Sequence, residues 1–170
     1  GPRRAVLAGE PAQPVGPQTS IWTDTTASAL MTVMTPEGQQ TLVTMQVAGN
    51  STLQLDQAAA PRFGVSNRSF RVLVDLQAGR VRLDVPRFGS RPLELALTTP
   101  QGGRIDVIES GRYTLEVSND VTQVTVVSDG HATVSSQGQT LVLEPGQRME
   151  ISPDSAPVGP FDPARDLIRN

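Results

Sequence analysis

From about Ile21 to Ile151 apolar side chains recur at every second position in short runs, and turn residues separate one run from the next. The clearest runs are Val72/Val74/Leu76, Val81/Leu83/Val85, Leu93/Leu95/Leu97, Tyr113/Leu115/Val117 and Leu141/Leu143. Alternation of this kind places one face of an extended chain in a core and the other in water, a period that no amphipathic helix shares. The gaps are Pro36-Glu37-Gly38, Gln77-Ala78-Gly79, Pro100-Gln101-Gly102-Gly103, Asn119-Asp120, Asp129-Gly130 and Pro145-Gly146. Gly, Asn and Asp tolerate the positive φ of tight hairpins, so each gap reads as a turn. The pattern predicts an all-β fold of roughly ten or eleven strands with little or no helix. Its form is a short β-solenoid-like or sandwich-like stack of antiparallel strands. Glycines at 79, 102, 111, 130, 138 and 146 mark a weak recurrence that suits either form. A short helical or irregular connection is expected within 54–66, around Asp56-Gln57-Ala58-Ala59-Ala60, with Pro61 stopping it.

A chain of 170 residues suffices for one sizeable core. With 4% aromatic residues, that core must be built from Val, Leu, Ile and Ala. No cysteine is present, so disulfides and thiolate metal sites do not arise. All 14 basic residues are arginine. The net charge of −3 gives no field for nucleic acid. No run of about 18 apolar residues exists to span a membrane as a helix. Residues 1–19, rich in Pro and Gly, read as a linker or N-terminal arm, 20–152 as the all-β domain, and 153–170 as a Pro-rich linker with the start of a next domain. The opening Gly1-Pro2-Arg3-Arg4 reads as a cut end, so targeting and membrane anchoring are expected from segments outside this stretch.

Little here suggests catalysis. The single histidine, His131, follows Asp129-Gly130 at an expected turn, and a metal site or a metal-dependent cupin needs several imidazoles or clustered carboxylates. No nucleophile elbow accompanies it. The carboxylates are scattered over solvent-facing strand positions, and no Gly-rich phosphate loop is present. The expectation is a non-enzyme with no metal and no cofactor.

Charge, in contrast, is unevenly distributed. Residues 62–91 hold seven arginines against Asp75 and Asp84, a surplus of five positive charges that leaves the rest of the chain at −8. If Arg71, Arg80 and Arg82 project from one sheet face, they form an anion-facing patch that a partner can read. The bland reading, which we favour, makes each a solvated gatekeeper or the mate of an acid on a neighbouring strand. Trp22, the single tryptophan, is read first as a staple holding the first strand on the core and second as a platform for a sugar or a partner. The candidate partner-binding residues are therefore Arg71, Arg80, Arg82 and Trp22.

The order of these patterns from about Ala27 to Met149 resembles the FecR family. The run Val74-Asp75-Leu76-Gln77-Ala78-Gly79-Arg80-Val81-Arg82-Leu83 matches the family's apolar-x-Leu-x-x-Gly-x-Val-x-Val stretch. Leu95-Ala96-Leu97-Thr98-Thr99-Pro100 supplies its Thr-Pro, and Ser110-Gly111-Arg112-Tyr113 stands where the family has Gly-Thr before an aromatic. Val124-Thr125-Val126, Asp129-Gly130, Ala132-Thr133-Val134 and Leu143-Glu144-Pro145-Gly146 match the closing pattern. The resemblance implies an extracytoplasmic sensor or interaction module, in the periplasm or at the cell surface, of the kind used in anti-sigma-factor signalling. Its expected partner is a protein of the cell envelope. The alternative is a structural or carbohydrate-associated adhesive module of a larger surface protein, with polysaccharide as the ligand. The family supplies no catalytic residues.

Overall fold

The computed structural model describes residues 16–35, 40–59, 70–87, 93–107 and 109–152. Twelve strands and no helix are present among them. In chain order they are β1 (Thr19–Trp22), β2 (Ala29–Met34), β3 (Thr41–Val47), β4 (Thr52–Ala59), β5 (Phe70–Val85) and β6 (Leu93–Thr98). There follow β7 (Arg104–Val107), β8 (Gly111–Ser118), β9 (Val121–Ser128), β10 (Ala132–Ser136), β11 (Gln139–Leu143) and β12 (Arg148–Ile151).

One strand organises the others. The first half of β5 pairs with β4 on one side and β6 on the other, within a sheet that runs β1-β4-β5-β6-β7-β10-β11. Its second half pairs with β3 and β8, within a sheet that runs β2-β3-β5-β8-β9-β12. The inner faces of both sheets contribute to one apolar cluster, from Met31, Met45 and Leu83 to Leu53, Leu97 and Val134. The all-β expectation holds, as a sandwich-like stack wrapped into a nearly closed barrel.

The alternation within β5 shows how one strand serves two sheets. Phe70, Val72, Val74 and Leu76 are buried at even positions, whereas Val81, Leu83 and Val85 are buried at odd ones. The phase flips at Gly79, whose φ is +94°. A strand of uniform phase would turn its second half's apolar residues to solvent. Gln77-Ala78-Gly79, expected as a hairpin turn, is therefore a bend inside a continuous strand.

The connection from β3 to β4 passes between the sheets beside that bend. Ser51, almost fully buried, accepts a hydrogen bond on Oγ from the Arg80 N–H at 3.0 Å, while the Ala48 N–H donates to the Arg80 carbonyl at 2.9 Å. The Thr23 hydroxyl donates to the Ala48 carbonyl at 2.6 Å and accepts from the Ser51 N–H at 3.1 Å, which ties in the link from β1 to β2. Three crossings between sheets thus share one polar knot. A Cβ at Gly79 would overlap Ser51, so the positive φ and the close approach both require glycine there.

The register between β5 and β6 is parallel, Phe70 opposite Leu93 through Asp75 opposite Thr98, and every other pairing described is antiparallel. The cause is the same bend. After crossing into the second sheet the chain must return to start β6 beside Phe70, which makes the second half of β5 the body of a crossover. Within 54–66, the stretch expected to hold a helical or irregular connection, residues 54–59 belong to strand β4, which pairs from Thr52 to Ala59 along β5 with bulges that absorb its uneven spacing. The remainder of that stretch, Pro36-Glu37-Gly38, and the flanks 1–15 and 153–170 lie outside the described residues. Asn119-Asp120 and Gln137-Gly138 take positive φ at both positions, as two-residue hairpin connections demand. Asp129-Gly130, expected as a hairpin, also takes positive φ at both positions but carries the chain from β9 in the second sheet to β10 in the first, two strands that do not pair. Asp24 holds the link after β1 by accepting from the Thr26 and Ala27 N–H groups, and those bonds lower its carboxyl pKa.

Replacing Gly79 with Ala is expected to lower the unfolding free energy by about 2–4 kcal/mol, because strain and overlap act together. Ser51→Ala is expected to lower it by about 1–2 kcal/mol, as the Arg80 N–H loses its acceptor. Equilibrium urea denaturation checks both; a G79A chain within about 0.5 kcal/mol of the parent would show that the bend does not need glycine.

Candidate interaction surfaces

The arginines singled out in the sequence reach solvent from two different sheets. Arg71 projects from the outer face of the first sheet, and its register partner on β6 is Glu94. The Arg71 Nε donates to Glu94 Oε2 at 2.8 Å, and both side chains are more than half exposed. Arg80 and Arg82 lie beyond the bend, on the outer face of the second sheet. Arg80 stands opposite Glu116, and Arg82 stands between Gln46 and Thr114. Neither has an ion pair among the described residues. The bend thus separates Arg71 from the other two.

Across that second outer face the signs interleave. Arg80, Arg82, Arg112 and Arg148 alternate with Asp84, Glu116 and Glu150 along paired rows. Within residues 62–91, paired strands set an acid beside Arg71 and beside Arg80, Glu94 and Glu116 respectively. Charges set at this spacing favour local contacts over a long-range field, since at physiological salt the screening length is about 8 Å.

Trp22 ends β1 on an open edge and is 51% exposed. Its neighbour Ile21 packs against the core. Ile21 therefore holds the strand, and the staple expected at Trp22 falls one position earlier because β1 alternates from that phase.

A groove of about 540 Å³ lies over β5, β6 and β7 on the outer face of the first sheet. Its floor includes Leu73 and Ala96, and two ion pairs bound it: Arg71 with Glu94, and Arg104 with Asp106 at 3.1 Å. The hollow exists because Ala96, at an outward position between Leu73 and Asp106, has no bulk to fill it. An apolar floor between charged rims suits an extended segment with one apolar side chain set between polar ones. Sequence reading missed this site. Its signals were Val72-Leu73-Val74 and Leu95-Ala96-Leu97, where an apolar residue stands at the polar phase of a strand.

His131 lies beside Glu109, with Nδ1 and Oε2 at 3.6 Å. No group of three or more His, Cys, Asp or Glu side chains that could hold a metal ion occurs among the described residues. The Tyr113 hydroxyl, buried beneath this turn, donates to the Glu109 carbonyl at 2.6 Å and reaches the His131 carbonyl at 3.3 Å. A Cβ at Gly130 would collide with that hydroxyl, so Asp129-Gly130 is matched to the tyrosine beneath it. Burial, aided by the Glu109 carboxylate, pushes the Tyr113 phenol up to about 12.

The fold has solved counterparts. Two crystal structures, at 2.50 and 1.65 Å, of a provisionally assigned anti-sigma factor from Parabacteroides distasonis match 85% of this chain, with TM-scores of 0.57 and 0.58. This chain shares their fold. Identity is 16% and 15%, and the chain spans 59% of the length of those proteins. No family model matches the chain, and no curated protein matches it by sequence.

Two expectations follow from these surfaces. A double-mutant cycle on Arg71→Gln and Glu94→Gln is expected to give a coupling of no more than about 1 kcal/mol, since both side chains are exposed. For Tyr113 the folded state holds its proton to a higher pH than the unfolded chain, whose phenol titrates near 10.0. The stability it contributes is therefore full below pH 10 and is lost as pH rises through about 12. With one tyrosine and no lysine in the chain, ultraviolet titration at alkaline pH reads this group alone, and a midpoint at the ordinary phenol value would contradict the buried placement.

Proposed function

We propose that this domain is a non-enzymatic, extracytoplasmic interaction module of the FecR type, passing a signal within the cell envelope by binding another protein. The observation that carries the reading is the fold shared, over 85% of the chain, with the Parabacteroides protein provisionally assigned as an anti-sigma factor. The independent order of sequence patterns that resembles FecR supports it. Surface chemistry agrees: interleaved charges on the second sheet and a groove bounded by ion pairs on the first both suit a polypeptide with matching polar groups. Membrane attachment and sigma-factor binding, in this reading, belong to segments beyond residues 16–152.

Arg80 and Arg82 are the arginines best placed to meet a partner, because Arg71 already has Glu94. The test is capture of envelope proteins by the full chain, read by mass spectrometry. Enrichment of one membrane protein is expected. R80Q/R82Q should reduce its capture by about threefold to tenfold, through loss of local charge contacts with the partner. R71Q should leave capture nearly unchanged. Recovery of polysaccharide alone, with no enriched protein, would overturn the signalling reading in favour of an adhesive module.

A further inference from the structure

The stretch between Glu10 and Glu37 carries a single charged residue, Asp24, in a chain with 31 charged side chains. That stretch includes β2, which pairs with β3 and with no other strand among the described residues. Edge strands in soluble proteins are ordinarily guarded by charge, proline or bulges, because an open row of N–H and C=O groups invites another strand. Residues Ala29–Met34 have no charge and no proline. Two large apolar side chains also stand outward on the strand, Leu30 at 71% and Met34 at 46% exposure.

The direction of the free backbone groups follows from one hydrogen bond. The Thr35 N–H donates to the Gln40 carbonyl at 2.9 Å, toward β3. Successive residues of a strand point their backbone groups to opposite sides. The one irregularity of this ladder, between Val33 and Met34, takes its extra residue, Leu42, from β3, so the groups of Leu30, Thr32 and Met34 face the open edge. These residues share a self-complementary arrangement. About a two-fold axis at Thr32, an antiparallel mate sets Leu30 opposite Met34 of the other copy, Thr32 opposite Thr32, and Met31 opposite Val33. Apolar meets apolar on both faces, no like charges meet, and each outward-facing pair exchanges both backbone bonds.

We propose that the open edge of β2 pairs antiparallel with the same edge of a second copy of this chain, joining two of the six-strand sheets across a two-fold axis. The occupant is a second copy because the edge complements itself in one register and carries no charge with which to select a different partner. The other uncharged open edges among the described residues, β1 and β11, do not. A two-fold axis between Ser20 and Ile21 sets Thr19 against Trp22 and Ser20 against Ile21, and one at Leu141 sets Val142 against Thr140 and Leu143 against Gln139. The paired length is short and buries well under the roughly 1,200 Å² of stable complexes, so association is weak and concentration-dependent. It strengthens wherever copies are held close together.

The test is sedimentation velocity of the full chain over a thousandfold concentration range reaching millimolar. Reversible dimerisation is expected. The variants L30K/M34K and L30E/M34E, altered at outward-facing positions, should each associate at least tenfold more weakly than the parent. An equimolar mixture of the two should associate again, because each introduced lysine then faces an introduced glutamate. A parent chain that stays monomeric throughout, a dimer that both charged variants leave intact, or a mixture no tighter than its parts would overturn the proposal. Register is checked separately by oxidative cross-linking. The chain has no cysteine, so Thr32→Cys can bridge only to another copy, and it should do so at least tenfold faster than Leu30→Cys. Equal rates would overturn the register.

Discussion

The phase change in β5 at Gly79 is the constraint on which the rest of the architecture depends. A strand that kept its alternation would belong to a single sheet, and its last apolar residues would face water. One glycine at positive φ lets Val81, Leu83 and Val85 turn back to the core from the opposite phase. Ser51, Thr23 and the Ala48 backbone meet Arg80 at the same level, so two other links between the sheets are stitched to the bend. The parallel start of β6 follows, because a strand that has crossed must return before it can pair beside its own beginning.

The same geometry governs the surface. Along the chain the arginines from 62 to 91 look like one basic stretch. In space the three on β5 part at the bend and take acids or polar residues as cross-strand neighbours: Glu94 for Arg71, Glu116 for Arg80, Gln46 and Thr114 for Arg82. Attraction at such distances is short-ranged and screened, so these faces favour a partner that matches them locally. The groove beside Ala96 and the bare edge of β2 differ from them in kind, because each depends on what is missing: side-chain bulk in one, charge in the other.

Much of this was legible beforehand. Alternation in Tyr113–Val117, Val124–Val126 and Leu93–Leu97 marked strands correctly, because a half-buried strand leaves a period of two whatever its neighbours are. Asn119-Asp120 announced a hairpin through residues that accept positive φ, whereas Asp129-Gly130 carries the chain from one sheet to the other. Gln77-Ala78-Gly79 misled for the same reason. The residue type reports a permitted conformation, and only the pairing of both flanks with different strands decides between a hairpin and a bend. The stretch after Asp56 misled because alanines favour helix in isolation, whereas the open side of β5 supplied ladder partners that no local preference reveals.

What the sequence by itself determined is the class of structure: strands, the places where the chain may turn, a core of aliphatic side chains and no cysteine chemistry. These follow from periodicity and residue type, which are local properties. The tertiary structure alone decided which strands pair, that β6 runs parallel to β5, that Ile21 rather than Trp22 faces the core, and which charges become neighbours. Those are matters of register between segments far apart in the chain. A shift of one residue in any ladder reverses the faces, and the linear order of residues carries no record of the partner against which each strand is set.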